Sequence, residues 1–374
     1  EIKLPAASSR LASALLRQMS NMELGQSQEQ RPSRAQFLEV GQTLTEQTKR
    51  KEDELEHDPE PLEEDLYGIG ITSLLRDTRR LAMGAEGKFC LRLSRLSATS
   101  ILLIANIVLQ IFLLVEFKKL VTAAAVHDMR VAYDSYHGVM YDPPYDTTAN
   151  GFRRGRPENF RPEHFQDLTA EQKDLLCQCP LSQPVYLGVV LAIWTFTVVS
   201  DLRKILFLME LFFHRTPRVD TYRAMLVRDE EDKTMSLEGL TLSIKWVLFF
   251  LMFLPRLTID LVLVWLGCRW LVATPSFADV LLNAMALEFL LVLKDLFYTA
   301  VVPHRDKLEV RQMLIPSHKK DTPDCWNYMG SFLWIAVVVC WVYVYLYHLQ
   351  LVLPDYRWDI HDVCRSYIAK RTKV

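Results

Sequence analysis

The chain has 374 residues, half of them hydrophobic, and a formal net charge of −2. That balance excludes a basic nucleic-acid-binding protein and a chain too polar to bury a core. The average hides a division: the N-terminal part is polar, and the apolar residues follow in long blocks. The first residue is Glu1, so we expect a processed or truncated product.

Residues 1–97 read as a polar arm. In it Leu11, Leu15, Met19 and Met22 recur near helical spacing, as for a helix lying on a membrane surface or on a partner. Residues 50–65 are an acidic run broken by Pro59 and Pro61, the pattern of a solvated linker. Ile71, Leu74, Leu75 and Leu81 then alternate with Arg76, Arg79 and Arg80. This predicts an interfacial helix leading into the first span, its arginines near lipid phosphates.

A bilayer core takes about 20 apolar residues to cross. Five runs meet that need: 98–117, 185–213, 240–273 with a kink at Pro255, 278–302 and 330–353. The expected fold class is therefore all-α, a polytopic membrane protein with about five transmembrane helices. Residues 118–184 make one long exterior loop, rich in turn-forming Pro, Gly, Asn and Asp. Residues 214–239 and 303–329 are shorter loops, and 354–374 are a C-terminal tail. Lys and Arg concentrate before the first span, between the second and third, and between the fourth and fifth. That bias puts the N-terminus in the cytoplasm and the C-terminus outside, in the plasma membrane or an endomembrane.

In that topology Cys177, Cys179, Cys268 and Cys364 face outside, where thiols oxidise. Cys177 and Cys179, one residue apart, are poorly placed to pair with each other. The expected bridges run from them to Cys268 and Cys364, in either arrangement. The Cys-Gln-Cys spacing is too tight for a zinc site, so no metal or cofactor is expected. The chain has no phosphate-binding glycine loop, no Gly-x-Ser-x-Gly and no His-Glu-x-x-His, so an enzyme is not expected either.

The charges inside the spans are the candidate site. A tight turn near Thr274 and Pro275 makes 240–273 and 278–302 a helical hairpin. Counted from residue 273, Arg256 and Glu288 both lie roughly 23–25 Å from the turn at about 1.5 Å per residue. Asp260 is one turn from Arg256, Asn283 lies on one side of Glu288, and Asp295 is two turns to the other. These five residues are expected to cluster within the membrane. A charge at the bilayer centre costs at least about 2.5–3.5 kcal/mol and so needs a partner, water or a function. The leading reading is an ion-conducting or ion-translocating component. The alternative is a non-catalytic accessory or structural subunit of a larger membrane complex. Either way the expected partners are the lipid bilayer and other membrane subunits, and not nucleic acid.

The stretch LLNAMALEFLLVLKDLFYTAVVP resembles a segment of multi-pass membrane proteins from dinoflagellates and related algal protists. The matching positions are Asn283, Ala284, Ala286, Leu287, Glu288, Phe289, Asp295 and Pro303. Lys294 stands where that pattern has the first acid of a pair. The likeness covers one span and implies a cellular setting rather than a mechanism.

Overall fold

The computed structural model describes residues 60–84, 89–228, 234–315 and 325–371. The expected surface helix at Leu11–Met22 lies outside them. A short strand, β1 (Glu60–Pro61), leads into helix α1 (Leu66–Ala82). Asp65 caps α1, its side chain accepting from the Gly68 amide at 2.6 Å. Only glycine fits at 68, because a Cβ there would lie 2.1 Å from the Glu63 carbonyl.

α1 is not interfacial along its length. Leu66, Tyr67, Ile69, Ile71 and Leu75 are buried, and so are Thr72, Ser73, Arg76 and Asp77 between them. Its first three turns carry glycines, small hydroxyls and apolar residues on every side, which leaves no polar face for water. Only the last turn, with Arg79 and Arg80, reaches the surface.

Helix α2 (Phe89–Glu116) passes through a π-helical segment (Phe117–Thr122) into α3 (Ala123–Met140). Together they make one helix of 52 residues, about 78 Å long against a hydrocarbon core of about 30 Å. The region from residue 118 is therefore a rigid helical extension as far as Met140, not a loop. The π segment carries exposed Lys118 and Lys119, the expected place for the chain to leave lipid.

Beyond α3, strands β2 (Tyr145–Thr147) and β3 (Arg153–Gly155) pair as a hairpin, with Tyr145 opposite Gly155. Helix α4 (Ala170–Gln178) follows, started by a capping box between Thr169 and Gln172. Helix α5 (Pro184–Glu210) ends in a π turn (Leu211–Arg215). Strands β4 (Leu226–Arg228) and β5 (Met235–Leu237) come next. Helix α6 (Leu242–Leu248) runs through a π turn (Phe249–Phe253) into α7 (Leu254–Val272). The π turn lies just before Pro255, where an ordinary helix would lose a hydrogen bond and meet the proline ring.

Helix α8 (Phe277–Val301), the short α9 (His304–Arg311) and strand β6 (Met313–Ile315) follow. Helix α10 (Cys325–Val344) extends through a π turn to Leu349, and α11 (Asp359–Arg371) closes the described chain.

Four helices among the described residues are long and apolar enough to cross a membrane: Phe89–Met140, Pro184–Arg215, Leu242–Val272 and Met329–Leu349. The segment expected as a fifth span forms helix α8, 25 residues long. Its four charges, Asp279, Glu288, Lys294 and Asp295, keep it out of that set. The protein is mostly helical, as expected of an all-α polytopic chain, with a few short strands. A four-stranded sheet in the order β1-β6-β5-β4 gathers the segment before α1 and two separate inter-helix segments, and the β2–β3 hairpin is separate.

At the other end, the Cys177–Cys364 disulfide joins α4 to α11 across 187 residues. The expected second bridge does not form: Cys179 and Cys268 are unpaired and buried. Cys268 lies within α7 and packs among buried apolar neighbours instead of facing the hairpin and α11. Asp359, at the start of α11, accepts hydrogen bonds from Tyr133 (2.7 Å) and Tyr141 (2.6 Å). Between the two ends α5 packs closely on α7. A Cβ on Gly267 would come within 2.5 Å of Trp194 Nε1.

Candidate functional site

Three membrane-length helices bring a charge to one level. Arg256 lies 16 residues before the end of α7, Asp201 17 after the start of α5, and Lys294 17 after the start of α8. At about 1.5 Å per residue each is about 25 Å from its helix end at the disulfide side. α1 adds Asp65 from the sheet side.

Arg256 is the hub. Its Nη2 donates to Asp201 Oδ1 at 2.7 Å and its Nη1 to Asp65 Oδ2 at 3.3 Å. Its guanidinium also lies 4.7 Å from the centre of the Tyr67 ring. Lys294 donates to the same Asp201 oxygen. Asp260 lies beside Asp201, and its Oδ2 is buried with no hydrogen-bond partner. The network thus holds two cations, Arg256 and Lys294, and three carboxyls, Asp65, Asp201 and Asp260. The carboxyls outnumber the cations by one, and an uncompensated charge in such surroundings is expensive.

Beside the network lies a cleft of about 190 Å³ between the start of α1, α5 and α8. Its walls include Thr197, Ser200, Glu288 and Asp295, and it exposes one side of Asp201 and Lys294. Glu63, Glu64 and Asp65 approach it from the sheet side, and each pairs with a base from a different helix. Glu63 meets Lys204 of α5 at 2.5 Å, Glu64 meets Arg311 of α9 at 2.7 Å, and Asp65 meets Arg256 of α7. The acidic run expected to be a solvated linker therefore ends as a three-point clamp.

Of the five residues expected together, the structure brings Arg256 and Asp260 into the network. Glu288 is exposed and lines the cleft without an ion-pair partner among the described residues. Asp295 is half-buried on the same wall. Asn283 is apart: its Nδ2 donates to Thr274 Oγ1 at 2.9 Å and fastens α8 to the inter-helix turn. The level matching Arg256 on α8 is that of Lys294, not Glu288. Residues 273–276 form the turn and add no rise along either axis, so counting from 273 misplaces α8 by about one turn.

Asp201, Asp65 and Lys294 were not expected as partners of Arg256. Asp201 had a signal, a carboxylate more than four turns into an apolar helix, but the adjacent Arg203 and Lys204 gave it the look of an interface. Asp65 had none, since its sequence neighbours are other acids.

No protein-family model matches this chain, and no match was found among curated proteins or solved structures.

Proposed function

We propose that the protein is an ion-translocating membrane component that carries protons. The observation that supports this reading is the cleft, which gives the sheet side access to Asp201 and Lys294 at the depth of the buried network. With two cations and three carboxyls, one proton resides there, and the hydrogen-bonded side chains offer it more than one position. Glu288 and Asp295 make the cleft wall acidic, which raises the local concentration of cations.

The reading includes five crossings. Strands β1, β5 and β6 share one sheet, so the regions before α2, between α5 and α6, and after α9 lie on one side. The chain can return from the end of α7 to β6 only through α8, whose Lys294 lies in the network and whose Glu288 and Asp295 line the cleft. An N-terminus in the cytoplasm follows the basic residues on the sheet side. The disulfide at the opposite end suits an oxidising exterior.

The accessory-subunit reading draws support from α10, whose Phe332, Leu333, Val339 and Tyr343 are exposed, as on a face that meets lipid or another chain. Proton flux into liposomes separates the two. Flux in the wild type that Asp260→Asn abolishes and Glu288→Gln slows is the expected result. Absence of flux from folded wild-type protein would favour the accessory reading.

A further inference from the structure

A second charged site lies at the sheet-side junction of α1 and α2, independent of the translocation reading. Five arginines crowd there: Arg76, Arg79 and Arg80 from α1, and Arg92 and Arg95 from α2. Two have carboxylate partners. Arg76 pairs with Asp77 at 2.9 Å and with Glu309, and Arg95 with Glu309 at 2.9 Å and with Asp306. Arg79, Arg80 and Arg92 have none among the described residues. The Nε of Arg79 is buried with no hydrogen-bond partner. Arg92 spends one nitrogen on the Arg80 carbonyl at 3.0 Å, which ties the two helices together and leaves neither guanidinium in an ion pair among the described residues. Burial, and then the neighbouring charge of Arg76, push the Arg80 pKa below its ordinary value, with Arg92 and Arg95 adding to the effect against Asp77.

The same junction exposes large apolar side chains. Phe89 is 58 % exposed and Leu91 62 %, with Leu93 and Met83 also open. They stand at the start of the first membrane-length helix, about two turns before its continuous apolar run. Arginine binds phosphate through a planar fork of donors, and the apolar side chains suit acyl chains. We propose that Arg79, Arg80 and Arg92 bind the phosphate headgroup of an anionic phospholipid whose chains lie along Phe89 and Leu93, which share the Arg92 face of α2. Charge complementarity selects this occupant: one amphiphile supplies both the missing anion and the apolar cover. It would hold the α1–α2 turn at the membrane surface and so set the position of α1, whose other end carries Asp65.

The test is native mass spectrometry of the full chain released from micelles containing equal amounts of dioleoyl phosphatidylglycerol and dioleoyl phosphatidylcholine. The wild type should retain phosphatidylglycerol in preference. The triple variant R79Q/R80Q/R92Q should bind it roughly a hundredfold more weakly, the effect of three arginines at a membrane surface. The variant R79K/R80K/R92K keeps the charges and should keep most of the binding. Equal retention of both lipids by the wild type would overturn the proposal, as would equal losses in the Gln and Lys variants. Glycerophosphoglycerol, the same headgroup without chains, should bind far more weakly than the lipid, and equal binding would point to a free phosphate and refute the lipid. A last variant neutralises the acidic segment Asp229–Asp232 (D229N/E230Q/E231Q/D232N). If only this variant takes up phosphatidylglycerol, that segment is the partner of the arginines and the lipid proposal fails.

Discussion

Arg256→Leu is the most informative single change. Its side chain is 5 % exposed, as is that of Asp65, while Asp201 is 13 % exposed. Leucine fills much of the volume but removes the one base in an ion pair with Asp65 among the described residues. Asp201 keeps Lys294, so the main loss falls on Asp65. Removing one partner of a buried ion pair costs about 3–5 kcal/mol, and loss of the cation over Tyr67 adds about 1 kcal/mol. The retained Lys294 places the expected total near 4 kcal/mol rather than at the sum. Asp65→Asn in the same chain keeps the cap on Gly68 and removes the stranded charge. The double variant should therefore recover about 2 kcal/mol relative to the sum of the singles. Reversible unfolding in mixed micelles, followed by tryptophan fluorescence for the two singles and the double, measures this. Additivity within about 0.5 kcal/mol, or a cost below about 1 kcal/mol for Arg256→Leu, would refute the hub role.

The charge count separates two neighbouring carboxyls. Asp201→Asn should destabilise by about 3 kcal/mol because it takes the carboxylate from Lys294 and leaves Arg256 with Asp65 alone, whereas Asp260→Asn should cost less than about 1 kcal/mol; the same unfolding series checks the order, and equal costs would contradict it. Replacing Cys177 and Cys364 by serine should destabilise the α4–α11 region by about 2–5 kcal/mol, while Cys179→Ser and Cys268→Ser should leave non-reducing gel mobility unchanged. Gly267→Ala should cost about 1–3 kcal/mol, since a methyl collides with Trp194 and forces α5 away from α7; a thermal midpoint equal to that of the wild type would show that the contact can yield. Asp359→Asn should lower the stability of the disulfide-side region by about 1–3 kcal/mol, read by hydrogen exchange at α11, because two buried tyrosine hydroxyls lose a charged acceptor.

Local pattern carried a good share of the architecture. A run of about 20 apolar residues marks a helix, because in a bilayer its backbone amides must be satisfied within the segment. Residues 185–213, 240–273, 278–302 and 330–353 accordingly lie within a few residues of the observed helices. The first span is legible too, but not its continuation through Met140. Once the chain leaves lipid, a helix no longer needs apolar residues all round, and Ala123–Met140 is held by packing of Met129, Tyr133 and Tyr136. The cysteines behave in the same way. Their number suggested bridges, but a bond needs Cα atoms within about 7 Å, a distance set by how α4 and α11 fold back on each other.

The buried charges divide along the same line. The sequence by itself determined that Arg256 and Asp260 lie in apolar helices and need compensation, because the cost of burying a charge depends on its immediate surroundings. Which groups compensate them was decided only by the tertiary structure. Asp65 is almost two hundred residues away from Arg256 along the chain, Asp201 is fifty-five away, and Lys294 is on another helix. No local rule links them, since Coulomb attraction acts through space and depends on helix register. A turn of four residues that adds no rise shifts that register by one helical turn. That shift accounts for most of the distance between Glu288, expected at the level of Arg256, and Lys294, found there, and it leaves Glu288 on the wall of the cleft.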